Sequence, residues 1–129
     1  MKKQKTSGNP KKIRAILFLI PLVIVHLLLD FFYRPMAYSY SFNDFGFKDS
    51  FTQLTAVPGI SFLMILFEKD DTWSGTTGKI FLVIIPVMAM LMYEAIQPFI
   101  SKSTFDQLDI LYTLLGGLAN SILQFKIMR

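Results

Sequence analysis

Four apolar segments separated by short polar stretches dominate the chain. They cover residues 13–33, 51–67, 80–97 and 108–125. At about 1.5 Å per residue the first would reach about 31 Å as a helix, enough to cross the hydrocarbon core of a membrane. Pro58, Pro86 and Gly116–Gly117 lie inside the others, but membrane helices tolerate both residue types. The pattern predicts an all-α integral membrane bundle of four transmembrane helices.

Two of these segments have an alternative interpretation. The first follows basic residues, as the core of a secretory signal peptide does. We favour a span, because the run exceeds the about 7–15 apolar residues of a signal core, no A-x-A-like site follows, and residues 31–34 resemble an interfacial anchor. The second is short and contains Pro58, so its alternative is a re-entrant segment.

Composition agrees with a membrane protein. Apolar types make up 53% of the chain and charged residues 17%, compared with about 25% charged residues in soluble domains. These values exclude disorder and argue against a soluble enzyme. Because the chain has no Cys and one His, disulfides, thiolate catalysis and multi-His metal sites are excluded. We predict no metal and no cofactor.

Basic residues orient the predicted helices. Six of the thirteen lie in the first fourteen positions, directly before the first span, which favours a membrane-orienting tail over a nucleic-acid-binding arm. With four spans the inner side holds ten basic residues and the outer side three, whereas three spans give seven and six. The positive-inside rule therefore predicts cytoplasmic termini, with residues 1–12 as a basic tail and 13–129 as the membrane domain.

Polar residues within so apolar a chain are functional candidates, because an ionisable group in a bilayer is costly. Under the predicted topology all of them converge near the outer leaflet. They are His26, Asp30, Glu94, Gln97, Asp106 and Asp109. Such a cluster could carry protons, bind a cation or a polar headgroup, or act as acid and base.

The two aspartates before the fourth span also have a structural interpretation. Asp106 follows Ser103 and Thr104, a pattern typical of a helix N-terminus with an acid in its first turn. Asp109 could be a second first-turn acid. We favour an inward-facing role for Asp109, because it lies deeper in the span.

The other candidates have structural interpretations as well. Glu94 and Gln97 are spaced i,i+3 and could join two helices by hydrogen bonds. His26 and Asp30 are spaced i,i+4 and could pair with each other. We assign Gly116–Gly117 to close helix packing.

Two polar stretches outside the spans also have distinct compositions. The aromatic segment 38–47 is predicted to anchor at the membrane interface, with a shelf for a sugar or lipid ligand as the alternative.

The segment from Gly75 to Lys79 is similar to a phosphate-binding loop, but it has two residues between its glycines instead of four, and Ile80 follows the lysine. We interpret it as a turn that leads into the third span.

The stretch from Glu94 to Gly116 resembles the C-terminal signature of VanZ-like membrane proteins. That pattern reads Glu-x-x-Gln, a short loop ending in Arg-x-Phe-Asp-x-x-Asp, and then Asn-x-x-Gly with a further Gly. The matching positions are Glu94, Gln97, Phe105, Asp106, Asp109 and Gly116, at the same spacing without gaps. The matched stretch covers 23 of the 129 residues.

This chain departs from the family pattern at three positions. Ser103 stands where the family has Arg, Thr113 replaces the Asn, and Asn120 replaces the last Gly. Lys102 supplies a positive charge one position away from the missing Arg. A role that depends on an Arg–carboxylate clamp is therefore not carried over.

The resemblance implies a multi-pass protein of the bacterial cytoplasmic membrane that is linked to the cell envelope, and it does not imply a reaction. The family is named for low-level resistance to the glycopeptide teicoplanin, so an envelope lipid or a glycopeptide-related ligand is the implied partner besides the bilayer. We predict an outward-facing carboxylate cluster that binds or shields an envelope component. The alternatives are an enzyme that modifies a lipid or lipid-linked sugar, a small ion or proton pathway, and a structural partner subunit.

Overall fold

The computed structural model describes residues 8–41, 43–100 and 106–127, and every regular element in these ranges is helical. The elements are α1 (Pro10–Leu28), a π-helical turn (Leu29–Tyr33), α2 (Arg34–Ser39), α3 (Phe47–Phe67), α4 (Gly75–Ile100), α5 (Gln107–Ile122) and a second π-helical turn (Leu123–Ile127). Four helices are long and apolar enough to cross a membrane, namely Pro10–Ser39, Phe47–Phe67, Gly75–Ile100 and Gln107–Lys126. The predicted all-α fold with four such helices is confirmed.

Several helix boundaries differ from the predicted ones. The first helix begins at Pro10, because Asn9 caps it through its side chain and proline suits the first helical position. The same helix continues to Ser39, into the predicted loop, after the π-helical turn Leu29–Tyr33. The helix of the third segment begins at Gly75 rather than at residue 80, so the interpretation of residues 75–79 as a turn is wrong, and they form the first helical turn of α4.

α3 is the central helix and packs against α1, α4 and α5. It is the most buried of the four long helices, whereas the first is the most exposed. Pro58 is buried inside α3 and does not interrupt it. The segment that looked weakest by sequence is therefore one continuous helix, long enough to cross a membrane.

α5 buries small and polar side chains and exposes leucines. Its buried residues are Thr113, Gly116, Gly117 and Asn120. Its exposed large residues include Leu108, Leu111, Leu114, Leu115, Leu118 and Ile122. This distribution is the reverse of a soluble amphipathic helix, and it suits lipid surroundings, where close packing and interhelical hydrogen bonds hold helices together.

Pro86, one of two prolines inside α4, leaves a backbone carbonyl group that α5 satisfies. Pro86 has no N–H, so the carbonyl oxygen of Leu82, four residues earlier, has no donor within its own helix. The Asn120 side chain donates Nδ2–H to that oxygen at 3.0 Å. This buried hydrogen bond joins α5 to α4 where the backbone of α4 would otherwise be unsatisfied.

The two glycines of α5 allow close approach to its neighbours. A Cβ atom at Gly116 would lie 2.9 Å from the Leu54 carbonyl oxygen of α3, which Pro58 leaves without an intrahelical donor. A Cβ atom at Gly117 would lie 2.7 Å from Val87 Cγ2 of α4. Larger residues at these positions would push α5 away from both helices.

The bundle has two polar ends, named here by their buried glutamates. The Glu94 end contains the starts of α3 and α5 and the end of α4. The Glu68 end contains the start of α1 and the turn before α4, where Lys11 Nζ lies 3.2 Å from Glu68 Oε1. The end of α5 lies there too, since Lys79 Nζ is 5.9 Å from the Phe125 ring centre. Both ends of the described chain therefore lie at the Glu68 end.

Candidate functional site

The six residues singled out from the sequence all lie in the half of the bundle toward the Glu94 end. They are His26 of α1, Asp30 of the first π-helical turn, Glu94 and Gln97 of α4, and Asp106 and Asp109 at the start of α5. Hydrogen bonds divide them into separate groups. Glu94, which is buried, and Asp109, which is half-buried, interact with each other, while Asp106, His26 and Asp30 each have other hydrogen-bond partners.

α3 supplies hydrogen-bond donors to both carboxyl groups, the buried one of Glu94 and the half-buried one of Asp109. Gln53 donates Nε2–H to Glu94 Oε1 at 2.8 Å, and Ser50 donates its hydroxyl to Asp109 Oδ1 at 2.5 Å. Ser50 and Gln53 are spaced i,i+3 and therefore share a face of α3. We call these four residues the Glu94 site.

Acceptor atoms outnumber donors in the Glu94 site. Glu94 is 1% exposed and Gln53 7%, and within the described residues neither Glu94 Oε2 nor Gln53 Oε1 has a hydrogen-bond partner. Asp109 and Asp106 interact with Glu94 electrostatically, and so add negative charge beside it. A buried acceptor without a donor costs about 1–3 kcal/mol. A proton, a water molecule, or an N–H or O–H group of a ligand would supply the donors that these acceptor atoms lack.

Asp106 caps α5. Its side chain accepts the backbone N–H of Leu108 at 2.9 Å, so Asp106 is itself the N-cap residue. The sequence pattern suggested a cap further upstream with Asp106 as the first-turn acid, and in the structure that first-turn position belongs to Asp109. The upstream positions Ser103 and Thr104, and Lys102, lie outside the described residues.

His26 and Asp30 do not form the suggested pair. His26 Nδ1 lies 2.8 Å from Thr55 Oγ1 of α3, and Asp30 accepts a hydrogen bond from Arg34 Nη1 at 2.7 Å. The π-helical turn Leu29–Tyr33 changes the angular spacing after His26, so i,i+4 no longer places the two side chains one above the other. Among the described residues, neither contacts the Glu94 site by a hydrogen bond or an ion pair.

A cation and an aromatic ring lie beside the Glu94 site. The Arg34 guanidinium carbon is 4.7 Å from the centre of the Phe51 ring, and Arg34 Nε donates to the Lys48 carbonyl oxygen at 2.9 Å. Phe51 is fully buried and lies between Ser50 and Gln53 in the chain. Arg34 therefore fixes the start of α3 and places a positive charge from α2 beside the Phe51 ring.

The loop before α3 is held by Asp44. Its Oδ2 accepts the Tyr33 hydroxyl at 2.7 Å and the Lys48 backbone N–H at 2.9 Å. Burial alone would raise the pKa of Asp44, but these hydrogen bonds and the Lys48 charge outweigh burial and hold that pKa below its ordinary value. The aromatic side chains of Tyr38 and Phe45 in this region are exposed.

Three residues near the carboxylates were not singled out from the sequence. Ser50 and Gln53 provide the donors just described, and the Thr113 hydroxyl donates to the Asp109 backbone carbonyl at 2.8 Å. The available signal was the i,i+3 spacing of Ser50 and Gln53 at the start of an apolar segment. Gln97 lies one turn beyond Glu94 on α4 and is half-buried.

The described residues contain no group of three or more His, Asp or Glu side chains placed to hold a metal ion. Comparisons of the chain with protein-family models, with curated proteins and with solved structures gave no match. The chemistry of the site is therefore argued from its own geometry.

Proposed function

We propose that this chain is a VanZ-like protein of the bacterial cytoplasmic membrane whose Glu94 site faces outward and binds or shields an envelope component. The observation that carries the proposal is the pair of buried acceptor atoms, Glu94 Oε2 and Gln53 Oε1, which have no donor among the described residues. A ligand that brings N–H or O–H groups would satisfy both.

The charge of the site selects the kind of group that it binds. Glu94 and Asp109 are acidic, and Ser50 and Gln53 already donate hydrogen bonds to their carboxylates. An incoming phosphate or carboxylate would meet repulsion without a free donor. Hydroxyl, amide and ammonium groups fit, and such groups abound in the sugars and peptides of a bacterial envelope.

The distribution of basic residues supports an outward orientation of the Glu94 end. The described lysines and arginines near the Glu68 end include Lys11, Lys12, Arg14, Lys69 and Lys79. By the positive-inside rule this end belongs in the cytoplasm. The Glu94 site would then be approached from the envelope side.

Glu94→Gln tests the proposal, because it replaces an acceptor oxygen by a donor and removes one charge. We expect the folded protein to remain as stable or to gain stability, since a buried carboxyl group without a cation is costly. The effect of the chain on the glycopeptide susceptibility of a bacterial host should nevertheless be lost. Asp49→Asn is the matched control, because it removes one acidic charge from an exposed position at the same end.

Both variants must be compared at equal membrane levels. Loss with Glu94→Gln and retention with Asp49→Asn would support binding at the Glu94 site. Full retention with Glu94→Gln would refute it. A wild-type chain without effect on glycopeptide susceptibility would refute the glycopeptide link.

A proton pathway is a second candidate, favoured by one further observation. Gln124 Nε2 donates to Ser61 Oγ at 3.0 Å and to Asn120 Oδ1 at 3.3 Å, which forms another buried polar group in the α3–α5 interface toward the Glu68 end. Val57 and Gly116 lie between this group and the Glu94 site. Proton flux into liposomes that contain the purified protein, abolished by Glu94→Gln, would support this candidate over ligand binding.

A further inference from the structure

A cavity of about 350 Å³ lies at the Glu68 end, between the first turns of α1 and α4. Its volume falls within the about 300–1,000 Å³ of small-molecule sites. Lys11 and Arg14 line it from α1, and Gly75 and Lys79 from α4. The polar Glu94 site is at the opposite end of the bundle, so this cavity requires a separate explanation.

The lining of the cavity is predominantly positive. Lys11, Arg14 and Lys79 contribute three cations. Asp71, the one acidic residue in the lining, lies 3.5 Å from Lys11 Nζ through its Oδ1. The first intrahelical hydrogen bond of α4 runs from the Gly78 N–H to the Ser74 carbonyl oxygen, 3.3 Å away. The backbone N–H groups before Gly78 therefore have no partner within the helix, and they add partial positive charge at the same place.

Buried contacts fix the wall of the cavity. The Glu68 side chain is 1% exposed; it accepts the Trp73 backbone N–H at 3.1 Å, and it accepts from Lys11 Nζ. Lys11 Nζ also donates to the Trp73 carbonyl oxygen at 3.0 Å. A Cβ atom at Gly78 would lie 2.3 Å from the Trp73 carbonyl carbon, so glycine is needed for the turn to fold onto α4. The positive charges are thus held around a preformed space.

Apolar surface continues from the cavity along both helices. Leu17 on α1, one turn beyond Arg14, is 63% exposed, and Val83 on α4, one turn beyond Lys79, is half-buried. Trp73, at the edge of the cavity, is a residue type that prefers the membrane interface. A ligand with an anionic head and apolar chains matches this surface better than a free anion does. We propose that this cavity binds the phosphate headgroup of an anionic phospholipid.

The test measures lipid retention by the purified full-length protein. The protein is reconstituted in nanodiscs of phosphatidylglycerol, or of phosphatidylcholine as the zwitterionic control, and bound lipid is counted by native mass spectrometry after transfer to detergent. Lys79→Gln and Arg14→Gln should each weaken phosphatidylglycerol retention about fivefold, the effect of one cation near a membrane surface. Asp71→Asn should strengthen retention, because it removes the opposing charge.

Lys69→Gln is the matched control, since Lys69 lies in the same turn but does not line the cavity. It should leave retention unchanged, which separates binding in the cavity from general attraction to the basic end. Equal retention of the two lipids, or an equal loss with Lys69→Gln and Lys79→Gln, would overturn the proposal. Displacement of phosphatidylglycerol by inorganic phosphate at low millimolar concentration would show that a free anion is the ligand and would also overturn it. Because Asp71→Asn predicts a gain, the proposal remains testable if a lysine or arginine variant fails to fold.

Discussion

A methyl group at Gly116 would test how closely α5 must approach α3. In Gly116→Ala the new Cβ atom would lie 2.9 Å from the Leu54 carbonyl oxygen and 3.2 Å from Val57 Cβ. The oxygen belongs to the backbone, so it cannot rotate away as a side chain could. Carbon–oxygen contacts between helices are normally about 3.3–3.6 Å, so the two helices must separate by about 0.4 Å.

The expected cost follows from that movement. Overpacking a well-packed contact lowers the free energy of unfolding by about 1–3 kcal/mol. The higher helix propensity of alanine offsets up to about 1 kcal/mol of that loss. We therefore expect Gly116→Ala to lower the free energy of unfolding by about 1–2 kcal/mol. Gly59→Ala is the matched control, because its Cβ atom would meet only Leu22 Cδ2, at the ordinary distance of 3.8 Å.

The assay is reversible unfolding in mixed detergent micelles with increasing SDS. The fluorescence of Trp73, the one tryptophan of the chain, reports the transition. Gly116→Ala should unfold at a lower SDS fraction than the wild type, and Gly59→Ala should not. Equal stability of the two variants would refute the inferred close contact between α5 and α3.

Three further outcomes are expected. The stabilisation that Asp44 provides should be complete above its ordinary pKa of 3.8 and should decline as the pH falls from there through its lowered folded-state pKa. The difference in melting temperature between wild type and Asp44→Asn should therefore be larger at pH 7 than at pH 3, and an equal difference at both would contradict this role. Because the chain has no cysteine, single cysteines at Phe45 and Trp73 can be labelled in intact cells with a membrane-impermeant thiol reagent; we expect labelling at 45 and none at 73, and the reverse would contradict the proposed orientation. Asn120→Leu should lower stability by about 1–3 kcal/mol in the SDS assay, since it leaves a buried carbonyl oxygen without its donor, and an unchanged midpoint would contradict that role.

Hydropathy sufficed to predict the four long helices, because length and apolar content decide whether a segment can cross a membrane. It did not predict their ends. Ser39 lies beyond the end expected for the first helix, because α2 (Arg34–Ser39) continues the helix after the π-helical turn Leu29–Tyr33, through a stretch that hydropathy marks as loop. Pro58 also looked disruptive in the sequence, whereas in the structure it is buried within a continuous α3.

The candidate site was predicted in part. Glu94 and Asp109 stood out as carboxyl groups in apolar segments, and spacing alone indicated that they lie at the same end. Their donors, Ser50 and Gln53, come from a distant segment, so only the packing of α3 against α4 and α5 reveals them. The His26 partner was missed for the same reason, because spacing within one helix cannot show a partner on another.

The close packing of α5 links the stability of the bundle to the geometry of the Glu94 site. Asp109 and Gly116 are spaced i,i+7 and lie on the same face of α5, so a methyl group that moves Gly116 away from α3 also moves Asp109 away from Ser50, now 2.5 Å distant. Gly116→Ala should therefore weaken the proposed effect of the chain on the envelope even where the protein remains folded, while Gly59→Ala should preserve it. The contradicting result is a Gly116→Ala protein that is less stable in SDS but keeps the full proposed effect on the envelope at equal membrane levels. It would show that the Ser50–Asp109 hydrogen bond is structural and is not needed for that effect.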